Sequence, residues 1–238
     1  MSKVFPLLVA ASIVLSTPSW SQKKLNLSVF TGSGISFFAG PGAVNKSNFS
    51  VSGSGFNTLA IMANPYGKKQ FTNFIAGLQA DITPSSTKWI LILSSQYEQT
   101  GGELSPDSVF SSGVATKTVG KYKRYYNFIS VDPQIGRILF QKKVIITFHA
   151  GLDYAFKVTE GEQFDYTNQT GQTNSIGYEG GYPKTTDFRI TFGTSITLKK
   201  WSLDFNFKHG LSNYNKNGNA KVLEKLLHIR LLYTFLKI

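Results

Sequence analysis

Apolar and polar residues alternate with a period of two along much of this chain, which is the pattern of β-strands whose two faces meet different surroundings. The clearest stretch covers residues 144–157, where one face is apolar or aromatic throughout, as at Phe148 and Tyr154, while the other face carries Asp153. A helix would mix these residues on each of its faces, so a strand fits the pattern better. Seven more stretches alternate in the same way, at 24–38, 73–82, 89–98, 129–136, 187–199, 201–208 and 227–235.

The length of these stretches suits a membrane better than the core of a soluble sandwich. They run to about 12 residues, which at roughly 3.3 Å per residue and a tilt near 40° gives about 30 Å of height. The apolar band of a membrane barrel is about 25 Å tall, whereas strands in globular proteins usually have about five or six residues. We therefore expect the apolar faces to meet lipid and the polar faces to line a lumen.

The connections between the predicted strands alternate in length. Short turns at one end and long loops at the other are typical of outer-membrane barrels. The sequence thus predicts an all-β, antiparallel, up-and-down transmembrane β-barrel of eight strands, with short periplasmic turns and long extracellular loops. Pro133 cannot donate a ladder hydrogen bond, so a bulge or local irregularity is expected there. The short connections are 83–87, 141–143 and 199–200, and the long ones are 39–70, 100–121, 158–186 and 211–224.

The first residues have the pattern of an export signal. Lys3 precedes an apolar run at 4–15, and Ser-Trp-Ser at 19–21 resembles a small-x-small cleavage site. The apolar run is shorter than the roughly 20 residues that a membrane-spanning helix needs. We predict a cleaved signal peptide at 1–21 and an outer-membrane β-barrel at 22–238, because a membrane chain without a spanning helix must form a closed barrel.

Composition narrows the chemistry. The chain has no cysteine, which excludes disulfides, cysteine-based zinc sites and a catalytic thiol. The formal net charge is +12, and for an exported protein the expected counter-charges are outer-membrane lipid and lipopolysaccharide phosphates, not nucleic acid. No cofactor and no metal are expected.

Charged residues on the polar faces predict a network inside the barrel. A small barrel fills its interior with side chains, and charges in a dry interior must pair. We interpret the network as a structural polar plug, with a narrow ion path or a proton-linked gate as the alternative. The predicted members are Asp81, Glu98, Asp132, Asp153, Lys157, Arg189, Asp204, Lys208 and Arg230.

Aromatic residues near the ends of the predicted strands suggest two interfacial girdles, because rings with an apolar body and a polar tip collect at headgroup level. Two tryptophans begin upward strands next to short turns, and the other aromatics lie toward the opposite end. The predicted girdle residues are Trp89, Tyr97, Tyr125, Tyr154, Phe188 and Trp201.

An enzyme would need a nucleophile, a base and an orienting acid within reach of one another. His149 and His228 point into the lumen by parity, and His209 lies close to Ser212 but with the opposite parity. The chain has no Gly-x-Ser-x-Gly motif. We therefore expect no enzymatic activity.

Several of these features resemble the Bacteroidota-type outer-membrane β-barrel domain family, the PorT-like, porin-family small barrels. The matching features are 19–21 before Gln22, the strand from Tyr125 to Pro133, Gly151 in the following strand and the closing residues 233–235. Asp132 stands where the family usually has an aliphatic residue before the proline. The resemblance implies an outer-membrane location in a Gram-negative cell envelope, and insertion by the barrel-assembly machinery.

The long loops carry the residues that could act at the cell surface. Lysines there could bridge lipopolysaccharide phosphates, and tyrosines in 158–186 suit adaptable recognition of an extracellular ligand. We expect a structural or ligand-binding barrel. The alternatives are a narrow channel or transport- and secretion-accessory barrel, and a soluble, secreted, lipocalin-like barrel. The loop residues are Lys46, Lys68, Lys69, Lys117, Lys121, Lys184, Lys216 and Lys221, with Tyr166, Tyr178 and Tyr182.

Overall fold

The computed structural model describes residues 23–52, 59–84, 87–111, 114–117, 119–167, 171, 173–179, 186–215 and 220–238. The predicted signal peptide at 1–21 lies outside these ranges. The described residues form twelve β-strands: β1 Lys23–Ala39, β2 Lys46–Ser52, β3 Leu59–Met62, β4 Phe71–Pro84, β5 Trp89–Ser111, β6 Val114–Lys117, β7 Val119–Gln141, β8 Ile145–Thr167, β9 Thr173–Glu179, β10 Thr186–Leu198, β11 Trp201–Gly210 and β12 Leu223–Lys237.

Eight of these strands close into a ring. In order around the ring they are β1, β4, β5, β7, β8, β10, β11 and β12, and each pairs antiparallel with the next. The ring closes because β12 pairs with β1 over nearly its whole length, from Lys237 opposite Asn26 to Leu223 opposite Ala39. The prediction of an eight-stranded, up-and-down transmembrane barrel is confirmed.

The apolar strand faces point outward. The side chains of Phe148, Phe192 and Phe205 are 50%, 45% and 39% exposed, and polar residues of opposite parity, such as Asp153 and Arg189, are buried. A continuous surface of exposed apolar and aromatic side chains is favourable in contact with lipid tails and unfavourable in contact with water. A soluble lipocalin-like barrel would have turned these faces inward, so that alternative is wrong.

Several strands are longer than predicted at the extracellular end. β5 and β7 each have 23 residues, or roughly 58 Å of height at a tilt near 40°, about twice an apolar band of roughly 25 Å. The sequence predicted a long connection at 100–121, and its Gly-Gly pair at 101–102 and Pro106 are residues typical of loops. Pairing of β5 with β7 continues to Leu104 opposite Tyr122, however, so the extracellular connection is largely sheet.

Four short strands extend this sheet above the membrane. β2 pairs parallel with the upper part of β5 and antiparallel with β3. β6 pairs with β5, and β9 pairs with β8. Together with the upper ends of β5, β7 and β8 they form what we call the extracellular platform. It has an apolar core of its own, made of Phe49, Met62, Leu104, Tyr122 and Phe164.

Pro133 interrupts a ladder without shifting its register. Between β7 and β8 the pairing runs to Val131 opposite Tyr154 and resumes at Gln134 opposite Gly151 in the same register. The local irregularity expected at Pro133 is therefore present, but the bulges of this ladder lie elsewhere, at 127–128 and 138–140.

No helix in the described part of the chain is long and apolar enough to cross a membrane.

A charge placed on the lipid-facing wall should destabilise the barrel according to its depth. We expect Phe205→Arg, in the middle of β11, to lower the free energy of unfolding by about 2–4 kcal/mol. Leu211→Arg is the matched control, because Leu211 has the same parity and is 42% exposed just beyond the end of the strand; its cost should be about 0–1 kcal/mol. Equilibrium urea unfolding in phospholipid vesicles measures both, and equal costs would contradict the membrane placement.

Candidate functional site

The upper lumen is organised around one buried guanidinium. Arg189 is fully buried, and its Nε lies 2.8 Å from Asp187 Oδ2. Its Nη1 lies 3.1 Å from Asp153 Oδ2 and also contacts Glu98 Oε1. Its Nη2 lies 3.1 Å from Glu224 Oε2. One cation therefore holds four carboxylates, which we call the Arg189 cluster.

The cluster ties together strands from different parts of the ring. Glu98 lies on β5, Asp153 on β8, Arg189 and Asp187 on β10, and Glu224 on β12. Inward-facing residues of distant strands meet in the lumen because a barrel of eight strands is only wide enough for side chains. The planar guanidinium, with five N–H donors, suits a site shared by several carboxylates.

A second cation lies beside the cluster. Lys208 on β11 is fully buried, and its Nζ is 3.2 Å from Glu98 Oε2 and 3.1 Å from Asp153 Oδ2. Asp132 Oδ2 is 3.7 Å from the same Nζ. Two carboxylates thus bridge Arg189 and Lys208 into one continuous network.

A third cation organises the next layer. Arg230 donates from Nε to Asp204 Oδ2 at 2.8 Å and from Nη1 to Gln96 Oε1 at 3.3 Å. Its guanidinium carbon lies 4.7 Å from the centre of the Phe30 ring. The other side of Asp204 contacts His149, at 2.9 Å between Oδ1 and Nε2.

The two luminal histidines are held by other side chains. His149 Nδ1 contacts Gln134 Oε1, so both of its ring nitrogens have partners. His228 Nε2 lies 3.3 Å from Asn73 Nδ2. Because these contacts are to amides and a carboxylate, they do not form a nucleophile–base pair in the described part of the chain.

An aromatic cap closes the lumen at its extracellular end. Phe38 lies at its centre, with ring centroids 5.4 Å from Tyr66, 6.2 Å from Tyr126 and 5.2 Å from Tyr214. The guanidinium of Arg124 covers Tyr66 and Tyr126, each at 5.5 Å. These contacts join β1, β7 and the connections 40–70 and 211–222.

Tyr214 connects the cap to the charged layer below it. Its hydroxyl oxygen lies 3.0 Å from Asp187 Oδ2 and 2.9 Å from Glu224 Oε2, so its one proton can be donated to either carboxylate. Burial, followed by the negative charges of Asp187 and Glu224, raises the pKa of Tyr214 well above its ordinary value. The hydroxyl therefore stays protonated and can donate, which fixes the β11–β12 connection over the lumen.

Apolar side chains fill the periplasmic end of the lumen. Ile92 and Leu232 are 4% and 3% exposed, and Ile90 and Ile138 are also buried. Between the cap and this base, buried polar and charged residues follow one another. Side chains thus occupy the described lumen along its length.

The described lumen holds more carboxyl groups than cationic side chains. Its cations are Arg189, Lys208 and Arg230. Its carboxylates are Asp81, Glu98, Asp132, Asp153, Asp187, Asp204 and Glu224. The excess of four carboxylates contrasts with the net charge of +12 of the whole chain.

The structure brings most of the predicted luminal residues together. Asp81 is only partly buried, and its Oδ1 accepts a hydrogen bond of 2.8 Å from Gln79 Nε2. Lys157 lies nearer the extracellular end, with Nζ 2.7 Å from Glu160 and 6.0 Å from the centre of the Tyr126 ring. The residues placed in the two central layers are Glu98, Asp132, Asp153, Arg189, Asp204, Lys208 and Arg230.

Three participants were missed from the sequence. Asp187 has the parity of Arg189 and could have been included on that basis. Glu224 has the parity of His228 but lay in a predicted loop, because β12 begins earlier than expected, at Leu223. Tyr214 comes from a connection, and no periodic pattern could have indicated it.

The predicted girdle residues lie on the outer wall. Trp89 and Trp201 are 50% and 52% exposed beside the periplasmic turns. Tyr125 is partly buried because it stacks on Phe71, with a centroid distance of 6.4 Å. Their role as interfacial anchors remains a prediction. The remaining three are exposed nearer the extracellular end: Tyr97, Tyr154 and Phe188.

Several of the predicted extracellular lysines have acidic or hydroxyl side chains as neighbours. Lys46 lies 3.9 Å from Asp107, and Lys121 lies 2.6 Å from Glu103. Lys69 donates to Ser105 Oγ at 2.5 Å, and Lys68 and Lys221 are exposed. Tyr166 stacks on Phe164 at 4.7 Å. The side chains of Lys117, Tyr178, Tyr182, Lys184 and Lys216 lie outside the described residues.

The described residues contain no group of three or more His, Cys, Asp or Glu side chains arranged to hold a metal ion.

Among solved structures, the chain is similar to two proteins over nearly their whole length. Its similarity to Ail, the attachment invasion locus protein of Yersinia pestis, determined in complex with the heparin analogue sucrose octasulfate, covers 89% of this chain and 99% of Ail, with 13% identity and a TM-score of 0.31. For Neisserial surface protein A (NspA), the coverage is 89% and 97%, the identity 11% and the TM-score 0.35.

It is also similar to the translocator domain of the autotransporter NalP from Neisseria meningitidis, over 98% of this chain and 99% of that domain, with 10% identity and a TM-score of 0.21. No protein-family model matches the sequence, and no curated protein matches it. With such low scores the fold assignment rests on the hydrogen-bonded ring itself.

Removal of the central guanidinium should destabilise the barrel strongly. We expect Arg189→Ala to lower the free energy of unfolding by about 3–5 kcal/mol, because buried carboxylates lose their counter-charge. The control is Lys46→Ala, which removes an exposed ion pair and should change stability by less than about 1 kcal/mol. Urea unfolding in vesicles measures both variants, and a small loss for Arg189→Ala would show that the Arg189 cluster is not structural.

Proposed function

We propose that this protein is an outer-membrane β-barrel that acts through its extracellular surface, and that its lumen is a structural plug. The observation that carries the proposal is the filled lumen, with the aromatic cap above the Arg189 cluster and buried isoleucines at the base. Export by cleavage after residue 21, insertion by the barrel-assembly machinery, and membership of the Bacteroidota-type family are parts of the same proposal.

The extracellular platform supports a binding role. Its own apolar core, which includes Phe49 and Phe164 at a centroid distance of 3.8 Å, gives the sheet a fixed shape above the membrane. Fixed surfaces lose little conformational entropy when they bind. A folded platform is therefore better suited to recognition than flexible loops of the same length.

The ligand class we propose is the phosphate-bearing headgroup of lipopolysaccharide. Lys68 and Lys69 lie beside the edge of β5, where Lys69 exchanges backbone hydrogen bonds with Glu103 at 2.9 and 3.1 Å. Lys121 on β7 reaches the same glutamate. The three lysines thus belong to chain segments that meet at this part of β5, near the aromatic pair Phe71 and Tyr125. We place this part of the barrel at the level where acyl chains give way to headgroups.

Binding to lipopolysaccharide should depend on these lysines and on phosphate. We expect the variant with Lys68, Lys69 and Lys121 all changed to Ala to bind purified lipopolysaccharide at least about tenfold more weakly, since each cation near an anionic surface contributes about 1 kcal/mol. Lys142→Ala/Lys143→Ala, at the opposite end, is the control. Titration of lipopolysaccharide into protein in detergent micelles measures the affinity, and equal binding of dephosphorylated lipopolysaccharide would contradict the proposal.

A narrow cation path is the second candidate. The observation that favours it is the excess of carboxylates over cations in the lumen, which would attract cations if the cap and base opened. The filled cross-section favours the plug.

Single-channel recording separates the two candidates. We expect protein inserted into planar bilayers at neutral pH to show no stable conductance steps, because the lumen lacks room for hydrated ions. A general porin inserted in the same bilayers controls for the recording conditions. Stable cation-selective openings would overturn the plug and establish the channel.

A further inference from the structure

The periplasmic end of the barrel has a separate and stronger concentration of positive charge. Eight described side chains there are cationic and exposed: those in the turns 142–143 and 199–200, together with Lys24, Lys88, Arg137 and Lys237. The described turns and strand ends at this level contain no Asp or Glu. Asp81, farther along β4, accepts a hydrogen bond from Gln79 and faces the lumen. Among the side chains that the structure describes, the outer rim at this end therefore carries cations and no acidic group.

Three of these cations lie over the rings of the periplasmic aromatic residues. The guanidinium of Arg137 is 5.6 Å from the centre of the Trp89 ring. Lys142 Nζ is 5.8 Å from the ring of Phe140, and Lys200 Nζ is 6.0 Å from that of Tyr233. Such contacts hold the charged groups at the boundary between hydrocarbon and water.

A groove in the lipid-facing wall ends at one of these cations. The groove has a volume of about 390 Å³ and is apolar except at Arg137. Arg137 on β7 lies opposite Phe148 on β8, and the next outward-facing pair toward the extracellular end is Ile135 opposite Ala150. The groove forms because the side chain of Ala150 is small. Trp89 pairs with Arg137 on the other side.

The β-bulge in β7 shapes the lower wall of the groove. The register between β7 and β8 shifts between Ile138 and Phe140, and as a result both Leu139 and Phe140 are exposed, at 62% and 44%. An unbulged strand would have turned one of them into the lumen. Leu139 lines the groove, so that larger apolar side chains surround the small side chain of Ala150.

We infer that this groove binds an anionic glycerophospholipid of the periplasmic leaflet, with an acyl chain along Ala150 and the phosphate on Arg137. The wall faces lipid, so an occupant must come from the leaflet, and its apolar part must be long and narrow. Guanidinium groups bind phosphate through two parallel hydrogen bonds. Lys88 lies next to Arg137, since Lys88 O accepts a bond of 2.8 Å from the backbone N–H of Ile138, and adds positive charge at the headgroup level.

The inference depends on the orientation of the barrel in the membrane and not on the extracellular binding role. A failure of lipopolysaccharide binding at Lys68, Lys69 and Lys121 would leave it intact, and its own failure would leave that role intact.

The test is the retention of spin-labelled phosphatidylglycerol by the full chain in phosphatidylcholine vesicles, read from the motionally restricted fraction in electron paramagnetic resonance spectra. We expect phosphatidylglycerol to be retained about fivefold over labelled phosphatidylcholine, the ratio that about 1 kcal/mol per cation near a membrane surface gives. Arg137→Gln should reduce this preference to near unity. Ala150→Leu, which fills the groove without changing charge, should reduce it equally, and Ala150→Val serves if the leucine variant fails to fold.

The control is Lys143→Gln, which removes a cation of the same rim in the turn beyond the groove. It should retain at least half of the preference of the unchanged protein. An equal loss in Lys143→Gln and Arg137→Gln would overturn the inference in favour of diffuse charge attraction. Unchanged retention in folded Ala150→Leu and Ala150→Val would overturn the groove, and stronger retention of spin-labelled lipid A than of phosphatidylglycerol would overturn the assignment to the periplasmic leaflet.

Discussion

Hydrocarbon offers no partner to a backbone N–H or C=O, so a sheet in a membrane must have no free edge, and the pairing of β1 with β12 meets this constraint. The two strands pair from Asn26 to Ala39, which joins the first and last strands of the chain. Once the ring is closed, the alternation of side chains along each strand leaves only two destinations, lipid and lumen. The remaining features of the structure follow from this division.

The division creates a problem that the lumen must solve. Residues that cannot face lipid are concentrated in a space only wide enough for side chains, and there they must find partners. Arg189 and Lys208 solve it by sharing Glu98 and Asp153, and Tyr214 extends the network into the aromatic cap. We propose that the interior stabilises the barrel and at the same time closes it, and for this reason we place the activity at the surface.

The charge of the chain is distributed unevenly along the barrel axis. The lumen has an excess of carboxylates, and the extracellular end has lysines that partly pair with acidic neighbours such as Glu103 and Asp107. The described charged side chains of the periplasmic rim are all cationic. The net charge of +12 thus describes none of the three regions. We propose phosphate binding at both ends of the barrel. At the extracellular end the site is the folded platform, and at the periplasmic end it is a groove in the wall.

The sequence by itself determined the architecture, because lipid imposes a period of two that is visible residue by residue, as at Phe148 and Asp153. It also indicated most of the charged residues that face inward, since parity decides this within a strand, but Glu224 was missed because β12 begins earlier than predicted. Only the tertiary structure decided that Arg189 meets Glu98, 91 residues earlier in the chain, that Tyr214 reaches down from a connection, and that β5 continues to Ser111. Contacts across the lumen and pairing above the membrane depend on ring order, register and tilt, which no local pattern encodes.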